Sequence, residues 1–365
     1  MDNMKFSEMK VGGVYKTIAL LQAITEKKAK TGKPFVELEL SDGTETVIAR
    51  KFDCSEADLK SVGVEPETLV YVTFKIDLYN DAKSYNVSDI MGNPFPGENI
   101  ENYIIKADIN FDDAWELITG AVDGSHVPCE DDEKYEPIKE LTLRLLRDCK
   151  ESFMHSAAGQ NIHHNVIGGL LQHTSEMMFE AMVTATNYQE LDRELLLCGT
   201  ALHDIGKLRE MTTSPTGHVE YTDEGRLLGH AAIGIEMITN YAEFGNYNPK
   251  RVTLLKHMLA AHHGQRECGA ITEPAIPEAT VLHAIDMIDS RMYIFQDAYK
   301  NIEEGEMSGR VYPLGNCTVY KPIVSKPVVE PEPLPKGVEF TEEPEIPAED
   351  EEDWFDPDED PDSIW

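Results

Sequence analysis

Two hydrophobic periods divide the chain. From about Lys10 to Ser88 apolar residues alternate with polar ones in short runs: Val14 to Ala23, Phe35 to Leu40, Thr44 to Arg50, Leu69 to Tyr79 and Tyr85 to Ile90. A period of two gives each run one apolar face, the mark of a strand packed on one side. Phe35-Val36-Glu37-Leu38-Glu39-Leu40, the turn Asp42-Gly43 and Thr46-Val47-Ile48-Ala49 predict a hairpin. From about Ile138 to Tyr299 the period becomes 3.6. The segments Ile138–Met154, His164–Thr186, Leu191–Arg209, Leu228–Tyr241, Pro249–His262 and Pro277–Tyr299 predict an all-α bundle.

Five short strands suit a closed barrel of the OB type. The expected architecture is therefore multidomain: an N-terminal β-barrel (OB-fold) over 1–92, a connector over 93–135 and a helical domain over 136–326. Beyond Lys326 alternating Pro and Glu give way to Glu349–Asp353 and Asp356–Asp362, which cannot bury enough apolar area to offset chain entropy. Residues 327–365 are expected to be a disordered acidic tail. No internal repeat is evident.

Charge modifies this picture less than its total suggests. The formal net charge of −35 argues against a nucleic-acid partner. However, residues 1–92 carry 12 basic and 15 acidic side chains, 93–326 carry 19 and 36, and 327–365 carry 1 and 16. The barrel is close to neutral. No run of about 18 apolar residues and no basic, apolar, small-residue leader occurs, so no membrane partner and a cytoplasmic location are expected. The six scattered cysteines read as reduced, structural thiols.

The helical segments put metal-capable side chains where their stripes call for apolar ones. His173 replaces the missing member of Val166, Leu170 and Met177, and Leu196 and Gly199 lead to His203, followed by Asp204. His230 precedes Ile233 and Met237, Val252, Leu255 and Leu259 run into His262 and His263, and Ala279 and Leu282 are followed by Asp286. Any one of these histidines alone reads as an ordinary core or surface residue. All of them in register do not. A buried carboxylate costs several kcal/mol or loses its charge unless a cation or a dense hydrogen-bond set meets it. Imidazole nitrogen with carboxylate oxygen suits Mn²⁺, Fe²⁺, Zn²⁺ or Mg²⁺, and the lack of cysteine argues against a structural zinc.

Adjacent helix residues splay by about 100°, so His203 and Asp204 converge only near a helix end, with Gly206 as the expected terminator. Seven ligands exceed what one ion takes, which favours two ions bridged by a carboxylate. Such a pair clamps the attacking and leaving oxygens of a phosphoryl group.

These residues carry a resemblance. His173-Thr174, Leu202-His203-Asp204-Ile205-Gly206-Lys207, Leu228-Gly229-His230, His262-His263-Gly264 and Leu282-His283-Ala284-Ile285-Asp286 resemble the HD phosphohydrolase superfamily. His163-His164 before Gly169-Leu170, Tyr221-Thr222 to Gly225, and Val319-Tyr320-Lys321-Pro322 look like the YhaM-type 3′→5′ exoribonucleases, which join an OB domain to an HD domain. The resemblance spans most of residues 10–322. It implies metal-dependent hydrolysis of single-stranded RNA, or DNA, from the 3′ end to nucleoside monophosphates. It also implies one ion on His173, His203, Asp204 and Asp286, a second on His230, His262 and His263, and Asp204 bridging. The expected cofactor is two divalent ions, Mn²⁺ first, with Fe²⁺, Mg²⁺ and Zn²⁺ as alternatives.

Around that centre His203 and Asp204 are the expected catalytic pair. Lys207 either steadies phosphoryl charge or acts as a cation at a helix C-terminus. His163 and His164 either touch the terminal nucleotide or belong to a helix cap. His257 and His283 fall outside the set. In the barrel, base stacking beside basic side chains holds single strands, at about 1–3 kcal/mol per base. Tyr79 and Tyr85, flanking Asn80-Asp81, are the expected surface aromatics among Phe35, Phe52, Tyr71 and Phe74. Lys27, Lys28, Lys30 and Lys33 in the first hairpin loop either bind phosphates or are a solvated turn, and Lys28, Lys30 and Lys33 are the chosen binders. The tail, with Trp354, Phe355, Ile364 and Trp365, loosely resembles the acidic tails of bacterial single-strand-binding proteins and either recruits a protein partner, repels nucleic acid from the protein's own barrel until substrate competes, or only solubilises; a homo-oligomer stays open. Two other functions compete: a phosphohydrolase of free nucleotides with a regulatory barrel, and a non-catalytic strand binder.

Overall fold

Strands β1 (Val14–Lys28), β2 (Pro34–Ser41), β3 (Thr46–Phe52), β4 (Thr68–Tyr79) and β5 (Ala82–Gly92) close into a barrel in the order β1-β2-β3-β5-β4. The 15-residue β1 pairs antiparallel with β4 from Val14 to Leu21 and with β2 from Leu20 to Lys28. A bulge between Leu21 and Ala23 turns it from one neighbour to the other and leaves Gln22 outside the β1–β2 register. A short parallel contact, Ala49↔Tyr85 and Arg50↔Asn86, completes the OB barrel. The short helix α1 (Glu56–Ser61) bridges β3 and β4. This structure, a computed structural model, describes residues 4–79, 82–93, 96–160, 165–300 and 302–323. His163, His164 and the whole segment 327–365, with the partner role expected of it, lie outside the described residues.

The helical part runs α2 (Phe111–Asp123), α3 (Ile138–His155), α4 (Gly169–Asn187), α5 (Arg193–Leu202) and α6 (Lys207–Glu210). It continues through a hairpin of β6 (Met211–Thr213) and β7 (Val219–Tyr221), then α7 (Asp223–Leu228), α8 (His230–Ala242), α9 (Pro249–Ala261) and α10 (Pro277–Tyr299). A second hairpin, β8 (Met307–Val311) and β9 (Cys317–Tyr320), follows. Five expected helices match within a few residues. The sixth, Leu191–Arg209, is split between Leu202 and Lys207, and α2 occupies the expected connector. Asn110 starts α2 by accepting from the amides of Asp112 and Asp113. Its apolar side drives Trp115 edge-on against Phe153 of α3, ring centroids 6.0 Å apart, so this segment belongs to the helical core. The six cysteines are free thiols. Among the described residues no helix is long and apolar enough to cross a membrane.

The barrel core corrects one expected surface residue. Tyr85 is 5% exposed, edge-on to Phe74 at 5.4 Å and beside Phe6, and its burial pushes the phenol up to about 12. Inward alternation along β5 places Tyr85 with Val87 in the interior, so its ring faces offer no stacking surface. Tyr79, by contrast, is 68% exposed. Lys27 and Lys28 also belong to the end of β1, and Lys27 is paired with Glu37 at 2.6 Å.

Barrel and helices pack within one unit covering residues 1–321. The tip of the β6–β7 hairpin meets the barrel where Gln22, displaced by the bulge, donates to the Thr216 carbonyl at 2.8 Å. Thr216 Oγ1 donates to Glu67 at 3.3 Å, and His218 Nδ1 lies 3.1 Å from Glu39 of β2. On a further side the Ser41 hydroxyl donates to the Tyr103 carbonyl at 2.7 Å. Gly43, at φ +85°, is needed there because a Cβ would collide with the Asn102 carbonyl.

Two outcomes follow from this packing. Tyr85→Ala should lower barrel stability by about 3–5 kcal/mol in urea unfolding, as large buried rings do, whereas Tyr79→Ala should leave it nearly unchanged. The Glu39 carboxylate raises the His218 pKa, with burial opposing. That contact stabilises the fold below the ordinary histidine value and is lost as pH rises through the raised one. The difference in melting temperature between wild type and His218→Gln should be larger at about pH 6 than at about pH 8.

Candidate metal centre

The centre is assembled at helix ends. His173 projects from the second turn of α4 and is 1% exposed. The helix α5 stops at Leu202, His203 is its C-cap, and tight turns follow, with Ile205 N donating to Leu202 O and Lys207 N to Asp204 O. This break brings the adjacent side chains His203 and Asp204 to one point, as the splay argument requires. Gly206 does not end the helix through a left-handed backbone; its φ is −64°. A Cβ there would collide with the His230 carbonyl, so glycine lets the first turn of α8 rest on the His203–Asp204 turn. α9 repeats the device: it stops at Ala261 with His262 as C-cap, then His263 and a left-handed Gly264, φ +75°. His283 of α10 donates to the His262 carbonyl at 2.8 Å and so fixes that turn, a structural role. The ring of His257 accepts from Ala275 N at 3.0 Å, away from the centre.

Around Asp204 the imidazoles form two groups. Oδ2 lies 3.3 Å from His203 Nε2 and 3.7 Å from His173 Nε2, while Oδ1 lies 3.4 Å from His230 Nε2 and 4.0 Å from His262 Nε2. Within the groups, His173 and His203 Nε2 atoms are 3.2 Å apart, as are those of His230 and His262. Asp286 Oδ1 is 3.5 Å from His173 Nε2, and His263 joins the second group, its ring 4.0 Å from that of His262. All seven expected ligands are therefore brought together. His173, His203, His262 and Asp204 are buried, whereas His230, His263 and Asp286 face partly outward, so the centre is sealed on one side and open on the other.

The donor set can be tested for a cation through the far ring nitrogens. His203 Nδ1 is 2.8 Å from the Thr200 carbonyl and His262 Nδ1 is 2.7 Å from the Leu259 carbonyl. A carbonyl only accepts, so Nδ1 carries a proton and the second nitrogen, Nε2, points inward, where it is a lone-pair donor whenever the ring is neutral. Two Nε2 atoms 3.2 Å apart can share a proton or a cation, and metal–nitrogen bonds of about 2.0–2.1 Å give donor separations near that value. The buried Nδ1 of His263 has no hydrogen-bond partner among the described residues. These clusters fit divalent ions.

The electrostatics differ from ring to ring. Burial pushes Asp204 upward, yet Lys207 and His203 hold its carboxyl well below the usual range. Burial holds His262 well below its ordinary value, with neighbouring imidazoles adding to it, and His263 is lowered likewise. For His203 burial pulls down, but Asp204 wins and raises it. Lys207 Nζ is 2.6 Å from Asp204 Oδ2. Burial would lower its pKa, but Asp204 raises it, and the side chain stays charged. Lys207 opens the four-residue α6 and also lies in its last turn, so its helix position does not separate the two expected roles, while its contact with Asp204 puts it at the centre.

Two carboxylates escaped the sequence reading. Asp289 Oδ2 is 2.6 Å from His173 Nδ1. Glu210 Oε2 lies 3.1 Å from His230 Nδ1, and its Oε1 accepts the His230 backbone N–H at 3.0 Å. Asp289 was within reach of inference, one turn beyond Asp286 on the same helix; nothing local marks Glu210. On the barrel, Val47, Ile48, Arg50, Tyr79, Lys83, Ser84 and the small exposed part of Tyr85 line a shallow groove of about 460 Å³. At the lysine-bearing end Phe52, 54% exposed, stacks on Phe35 at 5.4 Å, and Lys33 pairs with Asp53 at 3.0 Å.

A family model described as HD domain matches residues 170–291. The 3′-5′ exoribonuclease YhaM of Geobacillus sp. (strain WCH70) is 31% identical over 321 residues, covering 88% of this chain and 95% of the relative. The proteins of the same name from Listeria innocua and Bacillus subtilis (strain 168) are each 30% identical, covering 86% and 84% of this chain and 97% and 94% of their own lengths. Among solved structures, the second OB-fold domain of replication protein A from Methanococcus maripaludis is 19% identical over 26% of this chain and 99% of its own, with a TM-score of 0.21. That score adds nothing to the barrel's own topology.

Ion binding should be visible as stability. A ligand of the folded state at about 100 times its Kd adds about 2.7 kcal/mol. Mn²⁺ should raise the melting temperature of chelator-treated protein, and Asp204→Ala should abolish that rise. A rise of equal size in the variant would refute the site.

Proposed function

We propose that this chain, which belongs to the family of the 3′-5′ exoribonuclease YhaM, hydrolyses single-stranded RNA, and DNA of like form, from the 3′ end to nucleoside monophosphates with two divalent ions. The observation that carries this is Asp204, whose two oxygens each face one imidazole group. His173, His203, Asp204 and Asp286 would hold one ion, and His230, His262 and His263 the other, with Asp204 shared; Mn²⁺ is the first choice. Such ions supply Lewis acidity to a phosphoryl group and activate the attacking water.

The remaining work falls to the protein's own groups. Lys207, charged and 2.6 Å from Asp204, stands where a non-bridging phosphoryl oxygen gathers charge. Burial around His203 and His262 excludes bulk water and strengthens these contacts. The partly outward side of the centre admits a strand end rather than a duplex. The barrel holds the strand upstream: Tyr79 and Phe52 offer exposed rings for stacking, and Lys28, Lys30, Lys33, Arg50 and Lys83 offer charge. His163 and His164 are assigned to the terminal nucleotide, and the acidic segment 327–365 to a protein partner.

A 5′-labelled single-stranded RNA incubated with Mn²⁺ should give a ladder shortening from the 3′ end. Asp204→Ala should give none. Lys207→Ala should lower kcat about 10²–10³-fold, the loss typical of a charge-stabilising donor. Tyr79→Ala should raise KM for long RNA by at least about fivefold, from the energy of one stacked base, with kcat unchanged. Intact RNA beside hydrolysed free nucleotides would replace this reading with a nucleotide phosphohydrolase.

A further inference from the structure

The two imidazole groups have matched supports. Each contains one C-cap histidine whose Nδ1 faces a carbonyl three residues back, His203 on Thr200 and His262 on Leu259. Each also contains one histidine whose Nδ1 faces a buried carboxylate: His173 on Asp289, at 2.6 Å, and His230 on Glu210, at 3.1 and 3.2 Å. The carboxylates come from different elements. Asp289 stands on α10, one turn past Asp286, with a side chain 9% exposed. Glu210 ends α6, and its side chain is 10% exposed.

We infer that Asp289 and Glu210 are positioning residues that act separately, Asp289 on the ion held with His173 and Glu210 on the ion held with His230. The reasoning is chemical. A carboxylate accepting Nδ1–H fixes the tautomer that leaves Nε2 as the donor, orients the ring and raises its basicity. A carbonyl fixes the tautomer too but carries no net charge, so the carboxylate-backed histidine is the stronger donor of each pair. Glu210 also binds the His230 backbone N–H and so sets the first turn of α8. Gly225 is tucked against the Glu210 backbone, where a Cβ would collide, which leaves the glutamate little freedom to move. The inference rests on the two-ion reading proposed above.

The test is a calorimetric Mn²⁺ titration of the full chain and of its near-isosteric variants Asp289→Asn and Glu210→Gln. Wild type should bind two ions. Each variant should weaken one binding event by about 10–100-fold, the usual effect of removing such a support, and leave the other unchanged. The double variant should weaken both. Asp289→Ala should weaken its event more than Asp289→Asn, since the amide still accepts Nδ1–H; melting of the ion-free proteins separates misfolding from this loss. As a second readout that needs no variant, ¹⁵N-histidine spectra of Zn²⁺-loaded wild type should show His173 and His230 bound through Nε2 with the proton on Nδ1. Unchanged affinities, equal weakening of both events by each variant, or Nδ1 ligation would overturn the inference. A wild type that binds no ion would instead overturn the metal reading itself.

Discussion

A carboxylate that is 3% exposed organises this protein. Asp204 cannot keep its charge in that position without positive partners, and the surrounding fold is arranged to deliver them. Lys207 reaches it from the next turn, and imidazoles from α4, the α5 end, α8 and the α9 end converge on its two oxygens. Each ring is held from behind by a carbonyl or a carboxylate. Inward ring nitrogens gathered around a buried carboxylate also form two clusters that could hold divalent ions.

Helix ends make that convergence possible. A continuous helix would send His203 and Asp204 to different faces; the stop at Leu202 removes the conflict, and α9 uses the same stop before His262 and His263. Gly206 and Gly264 matter for space: the first lets α8 approach the turn, and the second leaves room for the His283 ring. Longer side chains at either position would push apart the elements that carry the ligands.

The barrel is tied to the same region. The β6–β7 hairpin starts at Met211, directly after Glu210, and its tip is held by Gln22, Glu67 and Glu39 of the barrel. A single bulge in β1 both bends the strand to close the barrel and frees Gln22 for this contact. The barrel and the imidazole–carboxylate centre are thus parts of one packed unit.

Much of this was legible in the amino-acid order. Periods of two and 3.6 are local properties, so they marked five strands and most of the long helices, and they exposed the candidate ligands as polar interruptions of apolar stripes. Other features depended on contacts between distant segments. Tyr85 is as aromatic as Tyr79, and only barrel closure turned one inward and left the other outside. The helix α2 was hidden by its acidic start, and the β6–β7 strands were too short to alternate. Gly206 read as a helix terminator, because nothing in its neighbours announces the carbonyl of His230 lying against it. Glu210 and Asp289 had no local signal or a weak one, since a group that supports a ligand is defined by what it touches. Composition and spacing marked most of the apolar stripes and their polar interruptions; tertiary packing decided which side chains meet, and for Tyr85 even which way it faces, because a period records a direction from one backbone and never the identity of the neighbour it points to.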